Sequence, residues 1–200
     1  MNCDVRIEEE AGYKQALIGL GLSYNKSGEQ MIDVSKTLYK KDKGHNKFLE
    51  SMQIWLLIRM PRYWWQEFDT YRVGVTKQSE STMHTIFKRD LTQDNFVYPI
   101  SLSTLSHLNK EIMAYKWLKN FSGGKLNKLK QKDNRDKAVE SVFKRIKTNL
   151  PEGFLQTRMV NINYKVLRNI IQQRKNHRLE EWEFFINYLL NNCKHREYLV

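Results

Sequence analysis

Apolar residues recur at spacings of three and four along several parts of the chain, which is the pattern of an amphipathic helix. Within residues 29–40 the apolar positions are Met31, Ile32, Val34 and Leu38. The sequence therefore predicts a helix over 29–40. The basic, glycine-containing residues 40–46 that follow predict a loop.

A run of large apolar side chains follows in residues 48–60 and ends at Pro61. Such a run predicts a strand or another buried segment. Because proline suits the first turn of a helix, residues 61–68 are predicted to begin one. The polar residues expected on one side of that helix are Arg62, Gln66 and Asp69.

The composition changes in residues 121–138, where glycine, lysine, asparagine and aspartate dominate and apolar residues are scarce. We interpret this stretch as a basic, flexible insertion. Helical spacing returns over 139–146, and the Leu-Pro-Glu-Gly sequence at 150–153 predicts a turn. Two further helices are predicted after that turn.

Length and composition limit the fold class and the setting. With 200 residues, of which 40% are hydrophobic and 12% aromatic, one compact domain over 1–200 is expected. The net charge of +12 favours partners that carry phosphate.

The two cysteines lack paired spacing, so neither a disulfide scaffold nor a metal site is predicted. Without a long apolar run or a signal peptide, we expect a soluble cytoplasmic protein that does not enter a membrane.

One basic residue stands where an apolar one is expected. Arg174 falls on the apolar face of residues 164–174, and Arg178 follows ahead of another apolar stripe. A desolvated guanidinium group needs an acidic partner, and its fork suits a carboxylate or a phosphate. Two interpretations stay open. Either the arginines reach the surface or pair with a glutamate among residues 180–183, or Arg174 faces a bound nucleotide phosphate or pyrimidine ring.

The last third of the chain carries a longer motif. In chain order it consists of Leu150-Pro151, Thr157-Arg158, Asn161-Ile162-Asn163, Leu167, Arg168-Asn169, Arg174, His177 and Glu181-Trp182-Glu183. Its order and spacing resemble the nucleotide-binding end of the flavin-dependent thymidylate synthases. The resemblance implies an α+β fold with a mixed sheet and flanking helices, and a homotetramer whose sites lie between subunits.

The resemblance also implies roles for particular residues. Asn163 would contact the flavin, FAD, and Arg174 would act in catalysis by holding the uracil and polarising it for attack at C5. A second, shorter match begins at His45, continues through a short spacer and Phe-Leu-Glu, and reaches Arg62 and Gln66. It implies that His45 belongs to the flavin site and Gln66 to the nucleotide site.

The sequence departs from the family over residues 69–84. The family's motif there is Arg-His-Arg, two residues, Ser, one residue, Asn-Glu, one residue, Ser, one residue and Arg-Tyr. Only Arg72 and Ser81 stand in comparable places, and we assign Arg72 to the cofactor and Ser81 to the nucleotide. Lys147 replaces the arginine that precedes Leu-Pro in the family. We assign Lys147 to the nucleotide site. Lysine keeps the positive charge of the arginine but cannot form its bidentate hydrogen bonds.

The function that the resemblance implies is flavin-dependent transfer of a one-carbon unit to a deoxyuridine nucleotide, with NADPH as reductant and methylenetetrahydrofolate as donor. Reduced flavin supplies hydride in this chemistry, so no side chain need act as a covalent nucleophile. Because residues 69–84 are altered, two other functions stay open. The chain could be a catalytically altered or inactive paralogue, such as a phage protein. It could also be a non-catalytic binder of nucleotide, nucleic acid or protein. The lysine-rich residues 125–132 fit a nucleic-acid contact or a solvated loop.

Overall fold

The chain folds into strands and helices that a computed structural model describes for residues 1–41, 44–120 and 128–200, with side chains from residue 132 onward in the last range. The elements are β1 (Asp4–Ala11), α1 (Tyr13–Leu22), α2 (Ile32–Leu38), β2 (Gln53–Pro61), α3 (Arg62–Phe68), β3 (Val75–Ser79), α4 (Thr82–Thr85), α5 (Leu102–Asn120), α6 (Lys128–Asn149), β4 (Leu155–Asn163), α7 (Tyr164–Arg174) and α8 (Glu180–Asn192). Within those ranges, no helix has the length and apolar character needed to cross a membrane.

The residues divide into two compact units. Unit 1 contains residues 1–2, 61–63 and 80–156, and unit 2 contains residues 3–60, 64–79 and 157–200. The single domain expected from the length stays a prediction.

Unit 2 is built around a four-stranded sheet with the order β1-β2-β4-β3. The family resemblance implies a mixed sheet, whereas β1 pairs with β2, and β3 with β4, in antiparallel register. In the first pair, β2 begins at the end of the sheet where β1 finishes, so that Ala11 pairs with Gln53 and the two strands run in opposite directions. The α+β class itself is confirmed.

Strand β2 accounts for the apolar run at residues 48–60. Every second side chain is fully buried, and these residues are Ile54, Leu56, Ile58 and Met60. The period of two is that of a strand with one face on the core. The predicted strand is confirmed with its start at Gln53, and α3 begins directly after Pro61, as predicted.

The helices of unit 2 follow the apolar spacing of the sequence. The helix predicted over 29–40 is a 3₁₀ turn, Glu29–Met31, followed by α2. The two helices predicted after the turn at 150–153 are α7 and α8. Helix α8 packs on α3 through Trp182 and Trp64, whose ring centroids lie 4.5 Å apart.

Unit 1 is organised by the packing of α5 against α6. Its buried apolar residues include Ile86, Phe96, Leu108, Ile112, Val142, Ile146 and Phe154. Helix α6 starts at Lys128, so residues 128–138 are helical rather than part of a flexible insertion. Ion pairs one helical turn apart, Asp133–Lys137 at 2.8 Å and Glu140–Lys144 at 2.7 Å, support this polar helix where apolar residues are scarce. Residues 121–127 of the predicted insertion lie outside the described residues.

Candidate functional site

The last residue of α7, Arg174, is held by residues at the end of α3 within unit 2. Its Nη1 donates to Oε2 of Glu67 at 2.7 Å, and its Nε donates to the Tyr71 hydroxyl at 2.9 Å. The side chains of Arg174 and Glu67 are only 18% and 33% exposed. Because little water screens this pair, its two charges interact more strongly than those of a surface ion pair.

Aromatic side chains fix the orientation of the Arg174 guanidinium group. Its carbon lies 4.7 Å from the ring centroid of Trp182 and 5.6 Å from that of Tyr71. The fully buried Trp182 also donates its Nε1 to the same Glu67 oxygen at 2.8 Å. His177 Nε2 lies 3.3 Å from that oxygen. One carboxylate oxygen thus joins α3, α7 and α8.

This arrangement leaves part of the guanidinium group available. Among the described residues, Nη2 of Arg174 has no hydrogen-bond partner, whereas Nε and Nη1 are fixed. Nη2 is therefore a preorganised donor for an anion or a carbonyl oxygen. The acidic partner of Arg174 is Glu67 and not a glutamate among residues 180–183, because the end of α7 lies against α3. Arg178 is exposed in the turn before α8 and interrupts no buried stripe.

A second carboxylate, that of Asp69, is clamped by two cations just past α3. Both carboxylate oxygens lie 3.0 Å from Nη1 of Arg158, and Lys77 Nζ lies 2.9 Å from Oδ1. Arg158 in turn lies over Trp65, with 4.3 Å from the guanidinium carbon to the ring centroid. Burial alone would raise the pKa of the Asp69 carboxyl, but hydrogen bonds from Lys77 and Arg158 outweigh it and lower that pKa.

Asp69 is expected to stabilise the fold against acid. The pKa of Asp69 is lower in the folded protein than in the unfolded chain, where it is 3.8. The carboxylate therefore contributes its full stabilisation above pH 3.8, and this contribution is lost as the pH falls through the pKa of the folded protein. The melting temperature of the wild type should exceed that of Asp69→Asn by a constant margin above about pH 5, and this margin should shrink at lower pH. Melting curves across this range test it. A margin unchanged down to about pH 2, or an equal margin for the exposed control Asp4→Asn, would contradict it.

Asn163, predicted to contact the flavin, begins α7 as its N-cap. Its Oδ1 accepts a hydrogen bond from the Val166 amide at 3.0 Å, and the residue is 8% exposed. Gly74, with φ of +70°, permits the neighbouring turn to approach, because a Cβ there would lie 2.5 Å from Asn163 Nδ2. Asn163 therefore has a structural role in this chain. Its contact with a flavin stays a prediction.

Removing this cap should weaken α7 measurably. Asn163→Ala deletes the acceptor for the Val166 amide, and the free energy of unfolding should fall by about 1 kcal/mol. Asn163→Asp keeps an acceptor oxygen and should cost much less. Urea unfolding of both variants measures the difference. Equal losses in the two variants would show that the cap does not account for the stability.

In unit 1, the predicted site residue Lys147 donates its Nζ to the hydroxyl of Thr82. Burial lowers the pKa of Lys147, and the positive charge of Arg62 lowers it further. Arg62 is oriented by the Leu150 carbonyl, which accepts from its Nη1 at 3.0 Å, and by the Glu152 carboxylate, 3.2 Å from its Nη2. Two cations that repel each other while partly desolvated favour an anion beside them.

The predicted Ser81 lies at the N-cap of α4, but its side chain makes no capping bond. Its carbonyl accepts from the amides of His84 and Thr85, both at 3.0 Å. The hydroxyl that meets Lys147 is that of Thr82, the next residue, which is 7% exposed. Sequence spacing alone could not choose between the two adjacent hydroxyls.

The other predicted site residues, His45, Gln66 and Arg72, are all exposed in unit 2. No hydrogen bond or ion pair among the described residues joins any of them to Arg174. Gln66 lies on α3 beside Glu67, whereas His45 lies in a turn and Arg72 lies in the connection between α3 and β3. The structure thus brings Arg174 together with Glu67 and Tyr71, two residues that the sequence pattern did not indicate. The local sequence feature that could have pointed to Glu67 is its position as the acidic residue beside Gln66 in a helix rich in aromatic residues.

Neither cysteine is suited to act as a nucleophile. Burial raises the pKa of both thiols, Cys3 and Cys193, to about 12. A thiol in that range stays protonated near neutral pH and is a weak nucleophile.

The fold is that of the flavin-dependent thymidylate synthases. Thymidylate synthase X (ThyX) from Helicobacter pylori, solved with FAD and dUMP, superposes with a TM-score of 0.63 over 98% of this chain and 96% of its own, at 15% identity. Another structure of the Helicobacter pylori enzyme, also complexed with FAD and dUMP, gives 0.61 over 98% and 97%, again at 15% identity. No protein-family model matches the sequence, and no curated protein is significantly similar to it.

Proposed function

We propose that this chain binds a pyrimidine deoxynucleotide and FAD and transfers a one-carbon unit to a deoxyuridine nucleotide. Support comes from the fold, which this chain shares over nearly its full length with enzymes solved with FAD and dUMP. The observation that carries the proposal is the Arg174 guanidinium group, fixed at Nε and Nη1 with Nη2 left available.

Arg174 is proposed to hold the pyrimidine ring. A donor fixed in advance costs no reorganisation when charge develops on a carbonyl oxygen of the ring, so it stabilises that charge more than a mobile side chain would. Glu67 keeps the guanidinium group in place, and Tyr71 and Trp182 limit its rotation. Nη2 then donates to the ring oxygen and polarises the ring toward attack at C5.

Lys147 is proposed to bind phosphate within unit 1. Its ammonium group and the guanidinium group of Arg62 raise the local positive potential, and Thr82 keeps the ammonium group in a fixed direction. Lysine binds phosphate as a point charge, without the bidentate fork of arginine. We therefore expect this contact to contribute charge more than orientation.

The residues assigned to FAD fit it in part. Exposed His45 and Arg72 can present an imidazole and a cation to the cofactor, whereas Oδ1 of Asn163 is already used by the Val166 amide. Bound FAD would supply hydride, with NADPH as the reductant and methylenetetrahydrofolate as the carbon donor. The protein's own groups bind, orient and polarise.

A homotetramer is proposed on the same basis. Helix α5 of unit 1 exposes apolar side chains that suit a subunit interface, namely Leu102 at 77%, Met113 at 64% and Trp117 at 61%. Sedimentation equilibrium should give four times the mass of the chain, 24.0 kDa. A monomer at all concentrations would contradict this part of the proposal.

A second candidate, a nucleotide binder that has lost the reaction, is favoured by one observation. Two carboxylates, Glu67 and Asp69, already neutralise the arginines nearest to them, Arg174 and Arg158. Every cation neutralised by the protein's own acids attracts a bound phosphate or flavin less strongly.

Absorbance spectra of the purified protein, titrated first with FAD and then with deoxyuridine monophosphate, separate the two candidates. The proposed enzyme should bind FAD, and the flavin band should change when the nucleotide is added. The binder should show nucleotide binding by calorimetry with the FAD spectrum unchanged. Binding of neither ligand would exclude both.

A further inference from the structure

Unit 1 contains a cleft of 680 Å³ beside α4, α5 and α6 that the proposed reaction does not use. Ligand-binding clefts typically have volumes of roughly 300–1,000 Å³. The aromatic residues that line it are Phe87, Tyr115 and Phe143. The cleft is therefore large enough for a planar ligand group and has an aromatic lining to receive it.

Two aromatic rings of the cleft are stacked, and a third is tilted against them. The ring centroids of Phe87 and Tyr115 lie 3.9 Å apart with 25° between the planes, and those of Phe87 and Phe143 lie 5.7 Å apart at 31°. Phe87 is buried, whereas Tyr115 and Phe143 are half-buried and line the open space. Half-exposed rings in such a stack can accept a further flat π-system.

The rim of the cleft is basic. Three lysines, Lys88, Lys116 and Lys119, line it together with His84, and among the described residues no acid does. Lys119 Nζ lies 5.6 Å from the centroid of the Tyr115 ring, so cation and aromatic ring are already adjacent. Lys116 forms an ion pair with Asp90 at 3.1 Å, which offsets part of its charge, so Lys88 and Lys119 supply most of the attraction of this rim for phosphate.

We propose that this cleft binds single-stranded nucleic acid, with a base stacked on the half-buried Tyr115 ring and the lysines against the neighbouring phosphates. Stacking on aromatic rings within a basic groove is the usual way in which proteins hold single strands without reading their sequence. Lysines act as point charges and suit the repeated phosphates of a flexible backbone, because they impose less orientation than the bidentate fork of arginine. This inference does not depend on the proposed reaction.

Fluorescence anisotropy with a labelled oligothymidylate of about 12 nucleotides, within the usual range of site sizes, tests the proposal. The charge variant K88Q/K119Q should bind about tenfold more weakly at low salt, and the slope of log affinity against log salt should become shallower by about 1.4. The control K14Q/K41Q removes the same charge from exposed positions in unit 2 and should match the wild type. Tyr115→Leu, checked for an unchanged circular dichroism spectrum, should lose about tenfold through lost stacking.

Three results would overturn the proposal. One is equal binding of a duplex of the same length, because paired bases cannot stack on the protein. Another is an equal loss of affinity in K14Q/K41Q, which would indicate attraction to overall charge alone. The third is competition by thymidine monophosphate as effective as that by the oligonucleotide, which would make the cleft a mononucleotide site.

Discussion

Replacing Arg174 by alanine is expected to lower the affinity for deoxyuridine monophosphate by at least about tenfold, the usual cost of one charged hydrogen bond. The reason is that Nη2 is the available donor on a guanidinium group otherwise fixed by Glu67 and Tyr71. Arg174→Lys keeps the charge but loses the planar fork and should recover only part of the affinity. Isothermal titration calorimetry measures all three proteins.

The matched control is Arg178→Ala, four residues further along the chain. Arg178 is exposed in the turn before α8, so its removal changes net charge equally without touching the Glu67 cluster. Its affinity for the nucleotide should equal that of the wild type. Equal affinities of Arg174→Ala and Arg178→Ala would show that Arg174 does not contact the nucleotide.

Glu67→Ala is expected to lower the free energy of unfolding by about 2 kcal/mol, because it leaves a shielded guanidinium group and a buried indole N–H without their shared acceptor. The loss should be below that of a fully buried pair, since the Glu67 side chain is 33% exposed. Glu67→Gln keeps an acceptor oxygen for Trp182 and should lose less. Urea unfolding measures both variants.

Glu9→Ala, an exposed acid on β1, serves as the control and should change stability by less than about 0.5 kcal/mol. If Glu67→Ala were as stable as Glu9→Ala, the cluster around Arg174 would contribute nothing to the fold.

Much of the fold could be predicted because it depends on local periodicity. The apolar spacing of 164–174 gives the bounds of α7, and Pro61 marks the boundary between β2 and α3. Strand β1 could not be predicted in this way, because its consecutive glutamates interrupt the alternation of apolar and polar residues that is typical of a strand. The start of helix α6 was not predicted because apolar residues are scarce there, while the ion pair Asp133–Lys137 supports the helix further along.

The candidate site was predicted less completely because its contacts join distant parts of the chain. Arg174 was identified by its position on an apolar face, but its partner Glu67 lies 107 residues away. Lys147 meets Thr82 across 65 residues. No local pattern encodes such pairs, whereas the cap formed by Asn163 three residues before Val166 is a local feature.

The most direct test of the proposed function is formation of thymidine monophosphate from deoxyuridine monophosphate by the purified protein with FAD, NADPH and methylenetetrahydrofolate, followed by chromatography. Product is expected in the wild type and in Arg178→Ala, with at least about tenfold less in Arg174→Ala. Absence of product in the wild type, with both FAD and nucleotide shown to bind, would contradict the proposed reaction.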